Sequence, residues 1–138
     1  MFERILVAVD GSPHTTKTRD GAAALALISG APVRVLHVRE APFVGRAGEV
    51  SDETSSEAHH VVDVVVGTLA ETGIDASGTV RGARGGLAAA EILAEAEEWG
   101  ATTIVMGSTG HGALPRILLG STAHKVLHLS ELPVLVVR

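Results

Sequence analysis

The chain has 138 residues, and its 16 acidic residues against 11 Lys and Arg give a formal net charge of −5. With 46 % apolar and 20 % charged residues, it is expected to form one folded domain over residues 1–138, which excludes intrinsic disorder. The 2 % aromatic content and the acidic balance argue against a nucleic-acid partner, and the absence of Cys excludes disulfides and thiolate sites.

Five short segments rich in aliphatic and β-branched residues predict strands, at residues 4–9, 32–38, 76–80, 102–106 and 133–137. They are almost continuously apolar, which is typical of parallel strands covered on both faces. No apolar stretch approaches the roughly 20 residues that cross a bilayer. Asp10 ends the first apolar run too early for a signal peptide, so we expect a cytoplasmic protein without a membrane partner.

The segments between these strands are long enough for crossover helices. The first helix is predicted over residues 13–29, with Ser12 as its N-cap and Pro13 as its first residue. Residues 87–99 carry apolar side chains three and four positions apart with glutamates on the other side, which predicts an amphipathic helix. The last helix is predicted over residues 115–129.

Residues 52–72 contain a run of valines that favours a strand locally. We predict a helix there, because polar flanks extend the segment to helical length and a strand would break the alternation of strands and helices. The sequence therefore predicts a doubly wound, Rossmann-like α/β domain with a five-stranded, mainly parallel sheet and four helices. Residues 40–56 are predicted to form a surface loop before the second helix.

Glycines cluster after the fourth predicted strand, at Gly107, Gly110 and Gly112, and Gly120 follows ten residues beyond Gly110. Ligands of doubly wound sheets bind at the carboxyl ends of strands, where glycine lets backbone N–H groups approach an anion. Gly120 and the two hydroxyl residues after it would add the N-terminus of the last helix to such a site. Ordinary turns explain these glycines equally well. The sequence also contains no Walker motif, which would have been a more specific sign of phosphate binding.

The pattern Gly107-x2-Gly110-x9-Gly120-Ser121 resembles the nucleotide-binding signature of the ATP-binding universal stress proteins. Residues 5–12 (ILVAVDGS) are similar to that family's first strand and turn, and residues 118–127 and 133–137 are similar to its closing helix and strand. The resemblance covers nearly the whole chain, apart from residues 40–56. It implies the adenine-nucleotide α-hydrolase-like form of the doubly wound fold.

The resemblance also implies a role for individual residues. Asp10 matches an acidic residue near the ribose and phosphates, where a carboxylate accepts a ribose hydroxyl or holds Mg²⁺ through water. A carboxylate that stabilises the start of a helix is the alternative for Asp10. Ala8 and Val9 match positions beside the adenine, and the backbone of Val38 matches the group that reads the adenine edge. The matches around the ribose and phosphates are Met106, Gly107, Gly110, His111, Gly120, Ser121 and Thr122.

Two positions depart from the family's usual pattern. Residues 82–86 (GARGG) replace a turn that often contains Asp-Pro, and Arg84 in that turn is either a phosphate contact or a solvated loop arginine. His111 stands where relatives frequently carry a basic residue, and a neutral imidazole there weakens the binding of a triphosphate.

The implied ligand is ATP, with Mg²⁺, and the implied function is a nucleotide-dependent module of stress response or signalling. Phosphoryl transfer needs a positioned water, a metal and cations at the developing charge, and no general base is evident in the sequence. We therefore expect slow or no hydrolysis of ATP. The alternatives are a weak ATPase and a related α/β domain that binds AMP, a cyclic nucleotide or another ligand.

The last strand, within residues 133–138, is predicted to be an apolar strand at the edge of the sheet. An exposed edge of that kind invites pairing with another chain. Pairing with the same strand of a second copy would cover it, and the family resemblance also implies a homodimer.

Histidines raise the question of a metal site. His37 lies inside an apolar strand, which favours a hydrogen-bonded core histidine. His124 and His128 share one helix face, but no carboxylate at ligand spacing is evident, so a solvated face is favoured over a metal site. His59 and His60 are adjacent on a helix and cannot chelate one ion.

Overall fold

The computed structural model of the chain describes residues 1–41, 54–109 and 119–138. Strands and helices alternate along these ranges: β1 (Ile5–Val9), α1 (Thr15–Ser29), β2 (Val33–Ala41), α2 (Ser55–Glu71), β3 (Ala76–Arg84), α3 (Ala88–Trp99), β4 (Thr103–Gly107), α4 (Ser121–Leu129) and β5 (Val134–Val137). The five strands form one parallel sheet in the order β3-β2-β1-β4-β5. The predicted doubly wound α/β fold is therefore confirmed.

The strand order reverses beside β1. The chain adds β2 and β3 on one side of β1 and then crosses back to add β4 and β5 on the other side. Because all five strands are parallel, their carboxyl ends lie at one end of the sheet, and the switch point between β1 and β4 opens there. Ala8 pairs with Met106, so the residues that follow β1 lie beside those that follow β4.

The core has two layers, one on each face of the sheet. Alternate strand residues such as Val7 and Val35 point towards α1 and α2, whereas Leu6 and Leu36 point towards α3 and α4. All four of these side chains are fully buried. The continuously apolar strands of the sequence are thus explained by helices that cover both faces.

The valine-rich segment forms α2, as predicted. Thr54 is its N-cap: the Thr54 side chain accepts a hydrogen bond from the Glu57 N–H, and the Glu57 side chain accepts one from the Thr54 N–H. Val62 and Val65 are buried against the sheet. Val62 comes so close to Gly78 of β3 that a Cβ at position 78 would collide with it.

The predicted start of α1 was wrong. Its N-cap is His14, and Ser12 instead completes a turn in which the Ser12 side chain accepts a hydrogen bond from the His14 N–H and the Ser12 carbonyl accepts one from the Thr15 N–H. Pro13 therefore lies before the helix. The predicted start of α4 at residue 115 also differs, because residues 119 and 120 are not helical and α4 begins at Ser121; residues 115–118 lie outside the described residues.

Strands β2 and β3 are longer than predicted, because they pair with each other over nine residues each. Arg39 pairs with Gly82, and Ala41 pairs with Arg84. The prediction of a loop at 40–56 was wrong at both of its ends: residues 40 and 41 belong to β2, and residues 54–56 form the N-cap and start of α2. The remainder of that prediction, residues 42–53, lies outside the described residues.

A network of ion pairs joins β2 and β3 to α3. The Arg81 guanidinium donates hydrogen bonds to Glu91 at 2.7 Å and to Glu95 and Glu98 at 2.9 Å each. The buried Glu95 also accepts a hydrogen bond from Arg34 at 3.1 Å. These carboxylates raise the pKa of Arg81 further above its ordinary value, with Glu98 as the largest cause.

The indole ring of Trp99 lies at the amino end of the sheet, where α3 ends. The Arg4 guanidinium is 4.4 Å from the centroid of this ring, and that of Arg34 is 5.8 Å from it. Both distances fit cation–π contacts. None of the helices in the described ranges is both long and apolar enough to cross a membrane.

Candidate functional site

Asp10 lies at the switch point, directly after β1. Its Oδ1 accepts hydrogen bonds from the Ser12 N–H at 3.0 Å and from the Thr15 hydroxyl at 3.4 Å. Gly11 has a φ of 75°, which glycine adopts without strain, so the chain turns sharply here. No donor among the described residues reaches Oδ2 of Asp10, which leaves this oxygen for a ligand or a metal ion.

The two ends of the glycine signature meet beside Asp10. The Gly120 N–H donates a hydrogen bond to the Ser108 carbonyl, and the Ser108 N–H donates one to the Val137 carbonyl at 2.8 Å. Ser108 follows the last residue of β4, and Gly120 is the N-cap of α4. The structure therefore brings Gly107 and Gly120 to one place.

The N-terminus of α4 has free backbone donors. Its N-cap, Gly120, provides no side chain, and the first helical N–H bonded to the Gly120 carbonyl is that of His124. The N–H groups of the three residues before His124 have no acceptor within the helix. Together with the hydroxyls of Ser121 and Thr122 and the positive end of the helix dipole, they can bind an anion.

Gly107 lets α1 approach the end of β4. A Cβ at position 107 would lie 3.2 Å from Oγ1 of Thr18 and 3.4 Å from the carbonyl oxygen of Thr109. Thr18 is buried, and its hydroxyl donates to the His14 carbonyl. The sequence analysis did not identify Thr15 or Thr18 as residues of this region; their polar side chains on the buried side of a helix are the signal that could have found them.

The predicted adenine contacts divide between the two faces of the sheet. Ala8, Val38 and Met106 all pack in the core layer of α3 and α4, so their side chains share one face. Val9 packs in the opposite layer, with α1 and α2. At the end of β1, a ligand on the face of Ala8 could therefore contact only the backbone of Val9.

His37 connects β2 to the end of β1, immediately before Asp10. It is 3 % exposed, and its Nδ1 lies 2.8 Å from the Val9 carbonyl oxygen, so Nδ1 carries the proton and donates. The predicted hydrogen-bonded core histidine is confirmed. Its position next to the candidate site was not predicted, because the sequence does not show which strands are neighbours.

Arg84 is the last residue of β3 and not part of the following turn, so that predicted location was wrong. β3 lies two strands from β1, and Arg84 is four residues beyond Val80, which is level with Val9 through His37. With strands about 4.8 Å apart and a rise of about 3.3 Å per residue, its Cα is roughly 16 Å from that of Val9. Its phosphate contact stays a prediction.

Two of the predicted site residues, Gly110 and His111, lie outside the described residues. Within the described ranges, no three His, Asp or Glu side chains form a group that could hold a metal ion. Mg²⁺ commonly binds through one carboxylate together with phosphate oxygens of a nucleotide. The Oδ2 of Asp10, which no described donor reaches, fits that mode, and the described residues by themselves supply no complete cage there.

Comparisons with known proteins agree with the doubly wound α/β fold. The universal stress protein family matches residues 1–138. The chain is 34 % identical over 151 residues to the universal stress protein YxiE of Bacillus subtilis and 34 % identical over 140 residues to a universal stress protein of Thermus aquaticus, with 100 % of both chains covered in each case. Among solved structures, a universal stress protein from Archaeoglobus fulgidus in complex with dAMP is 26 % identical, covers 100 % of both chains and has a TM-score of 0.74.

Proposed function

Because the chain belongs to the universal stress protein family, we propose that it binds an adenine nucleotide, ATP with Mg²⁺, at the switch point between β1 and β4 and serves as a nucleotide-dependent module of stress response or signalling. The hydrogen bond from Gly120 to Ser108 carries this proposal, because it joins the two parts of the glycine signature beside Asp10. The dAMP complex of the Archaeoglobus fulgidus relative supports an adenine nucleotide as the ligand class.

In this proposal the phosphates accept hydrogen bonds from the N–H groups and hydroxyls at the start of α4, with Gly110 and His111 completing their site. Oδ2 of Asp10 holds Mg²⁺ or a ribose hydroxyl. The adenine lies on the side of Ala8, Val38 and Met106, and the Val38 backbone reads its edge. A net charge of −5 does not oppose a single nucleotide, because local backbone dipoles act on it at short range.

The same site is expected to turn ATP over slowly or not at all. In this proposal Oδ2 of Asp10 is engaged by Mg²⁺ or a ribose hydroxyl, and its Oδ1 accepts from the Ser12 N–H and the Thr15 hydroxyl, so this carboxylate does not serve as a general base for water. Nucleotide retention therefore suits a binding or switching role better than catalysis. A weak ATPase, or a preference for AMP or a cyclic nucleotide, is the alternative.

The identity of the ligand can be tested directly. We expect mass spectrometry of the denatured, freshly purified protein to detect an adenine nucleotide, and ATP to raise the melting temperature of the wild type. Gly120→Val should abolish the ATP-dependent shift, because a branched side chain blocks the approach of phosphate to the backbone. Gly67→Val on α2, where a Cβ would meet nothing within 4 Å, is the matched control and should keep the shift.

Absence of any shift with ATP, AMP and cyclic nucleotides would refute the proposed site. An unchanged ATP shift in Gly120→Val would refute the role of the α4 N-terminus. Parallel titrations with the three nucleotides decide which of them is preferred.

The proposal includes a homodimer formed through β5. This strand lies at the sheet edge, and its Leu135 side chain is 41 % exposed. The opposite edge, β3, carries Arg81 and Arg84, and charged residues discourage pairing at an edge. We expect light scattering at micromolar concentration to give a dimer mass for the wild type and a monomer mass for Leu135→Lys. A monomeric wild type would contradict the dimer.

A further inference from the structure

The exposed face of α4 carries two imidazoles in register. His124 and His128 are both exposed, their ring centroids are 6.4 Å apart, and their planes differ by 3°. Residues four apart lie one above the other on a helix, which accounts for the stacking. Neither ring has a hydrogen bond with another described residue, so the ring nitrogens of both are open to solvent.

Two histidines at this spacing form a recognised arrangement for metal ligation on a helix. Neutral imidazole nitrogens bind Zn²⁺, Ni²⁺ and Cu²⁺, with bonds of about 2.0–2.1 Å to zinc. Because both side chains are exposed, small rotations can bring one nitrogen of each ring onto the same ion. We propose that His124 and His128 together bind one such divalent transition-metal ion, which forms a clip across one turn in the C-terminal half of α4.

The residues around His124 and His128 determine how many protein ligands the ion has and which charges lie near it. In the described part of the chain no third His, Asp or Glu joins the pair, so water completes the coordination and the affinity is that of a two-ligand site. Lys125 does not oppose the ion directly, since its ammonium donates a hydrogen bond to the Gly86 carbonyl at 3.2 Å and is turned towards the β3–α3 connection.

The clip would act on a helix that needs support. α4 has nine residues, its N-cap glycine offers no side-chain hydrogen bond, and its described buried side chains are Ala123 and Val126. Helices of that length are marginal on their own. A ligand that binds only the helical form stabilises it by mass action, so the metal ion should reduce local opening of α4.

Calorimetric titration of the full chain with Ni²⁺ tests the site. We expect His124→Gln and His128→Gln each to weaken Ni²⁺ binding by roughly 10²-fold, because the second ligand of a chelate acts at high effective concentration. His60→Gln is the matched control: it removes one exposed imidazole beside His59 on α2, a pair that cannot share an ion, and should leave the affinity unchanged. Equal affinity in all variants, or an equal loss in His60→Gln, would overturn the proposal.

Hydrogen exchange tests the clip itself. Ni²⁺ should slow exchange of the α4 amides in the wild type and leave them unchanged in His128→Gln. Both substitutions lie in solvent, so circular dichroism of the metal-free variants should match the wild type. Unchanged α4 exchange in the wild type with Ni²⁺ bound would refute the clip.

Discussion

At the residue scale, two glycines of β3 differ in the room that is available for a side chain. A Cβ at Gly78 would collide with Val62 and also lie 3.0 Å from Val66, whereas a Cβ at Gly82 would meet nothing within 4 Å. We predict that Gly78→Ala lowers the free energy of unfolding by about 1–3 kcal/mol, because α2 must move away from the sheet. Gly82→Ala should be neutral or stabilise by about 0.4–1 kcal/mol. Urea denaturation followed by circular dichroism measures both, and equal effects would contradict this account.

His37 is a second single residue with a testable role, because its hydrogen bond to Val9 links the core to the candidate site. We predict that His37→Leu lowers the free energy of unfolding by about 1–3 kcal/mol, because the buried Val9 carbonyl loses a donor. The variant should also bind ATP more weakly, since Asp10 follows Val9 directly. His59→Leu, on the exposed side of α2, should change stability by no more than about 0.5 kcal/mol and leave ATP binding unchanged. Undiminished ATP binding by a folded His37→Leu would show that His37 serves the core alone.

At the scale of elements, the N-terminus of α2 leads to a prediction about how the stability of the protein depends on pH. The Thr54 N–H and side chain hydrogen-bond Glu57 and hold the pKa of its carboxyl below the ordinary value. A lowered pKa in the folded state means that the stabilisation is present above the unfolded pKa and is lost as pH falls through the folded one. In the Glu57→Gln variant, the free energy of unfolding should therefore fall less steeply than in the wild type as the pH is lowered.

Glu71→Gln, at the other end of α2, is the control for this pH effect and should leave the acid slope unchanged. Urea midpoints measured from neutral pH into the acid range provide the comparison. An identical slope for Glu57→Gln and the wild type would mean that the capping carboxylate does not contribute to acid stability.

The elements also show what sequence patterns can and cannot predict. Helix α2 was predicted despite its valines because length and alternation outweigh local preference. The ends of β2 and β3 were missed because the apolar signal stops at Val38, whereas backbone pairing continues through Arg39 and Glu40. Pairing satisfies backbone groups whatever the side chains are, so composition does not mark where it ends.

The candidate site, too, could be predicted from the sequence only in part. The glycine spacing and Asp10 were identified from the sequence, because glycines at fixed offsets after a strand carry their own signal. The approach of Thr18 to Gly107, and that of His37 to Val9, depend on which elements are neighbours. A single sequence carries no direct record of strand order, so these contacts could be found only in the structure.

At the scale of the whole molecule, the Arg81 network ties the edge strand β3 to α3. Arg81→Met would remove one of the two arginines that pair with the buried Glu95 while Arg34 remains, and we predict a loss of about 1.5–3 kcal/mol in the free energy of unfolding. Glu98→Gln removes a partner whose side chain is 66 % exposed, so its effect should stay below about 1 kcal/mol. Chemical denaturation of both variants tests this, and comparable losses would show that burial of Glu95 does not dominate.

Trp99 gives the protein an internal optical reporter. It is the only Trp in a chain without Tyr, and it lies near two guanidinium groups at the amino end of the sheet, whereas the candidate site lies at the carboxyl end. A bound nucleotide would therefore not touch the indole. Any change in its fluorescence on addition of ATP would measure a rearrangement transmitted along the strands, and constant emission would show that the sheet stays rigid while the site fills.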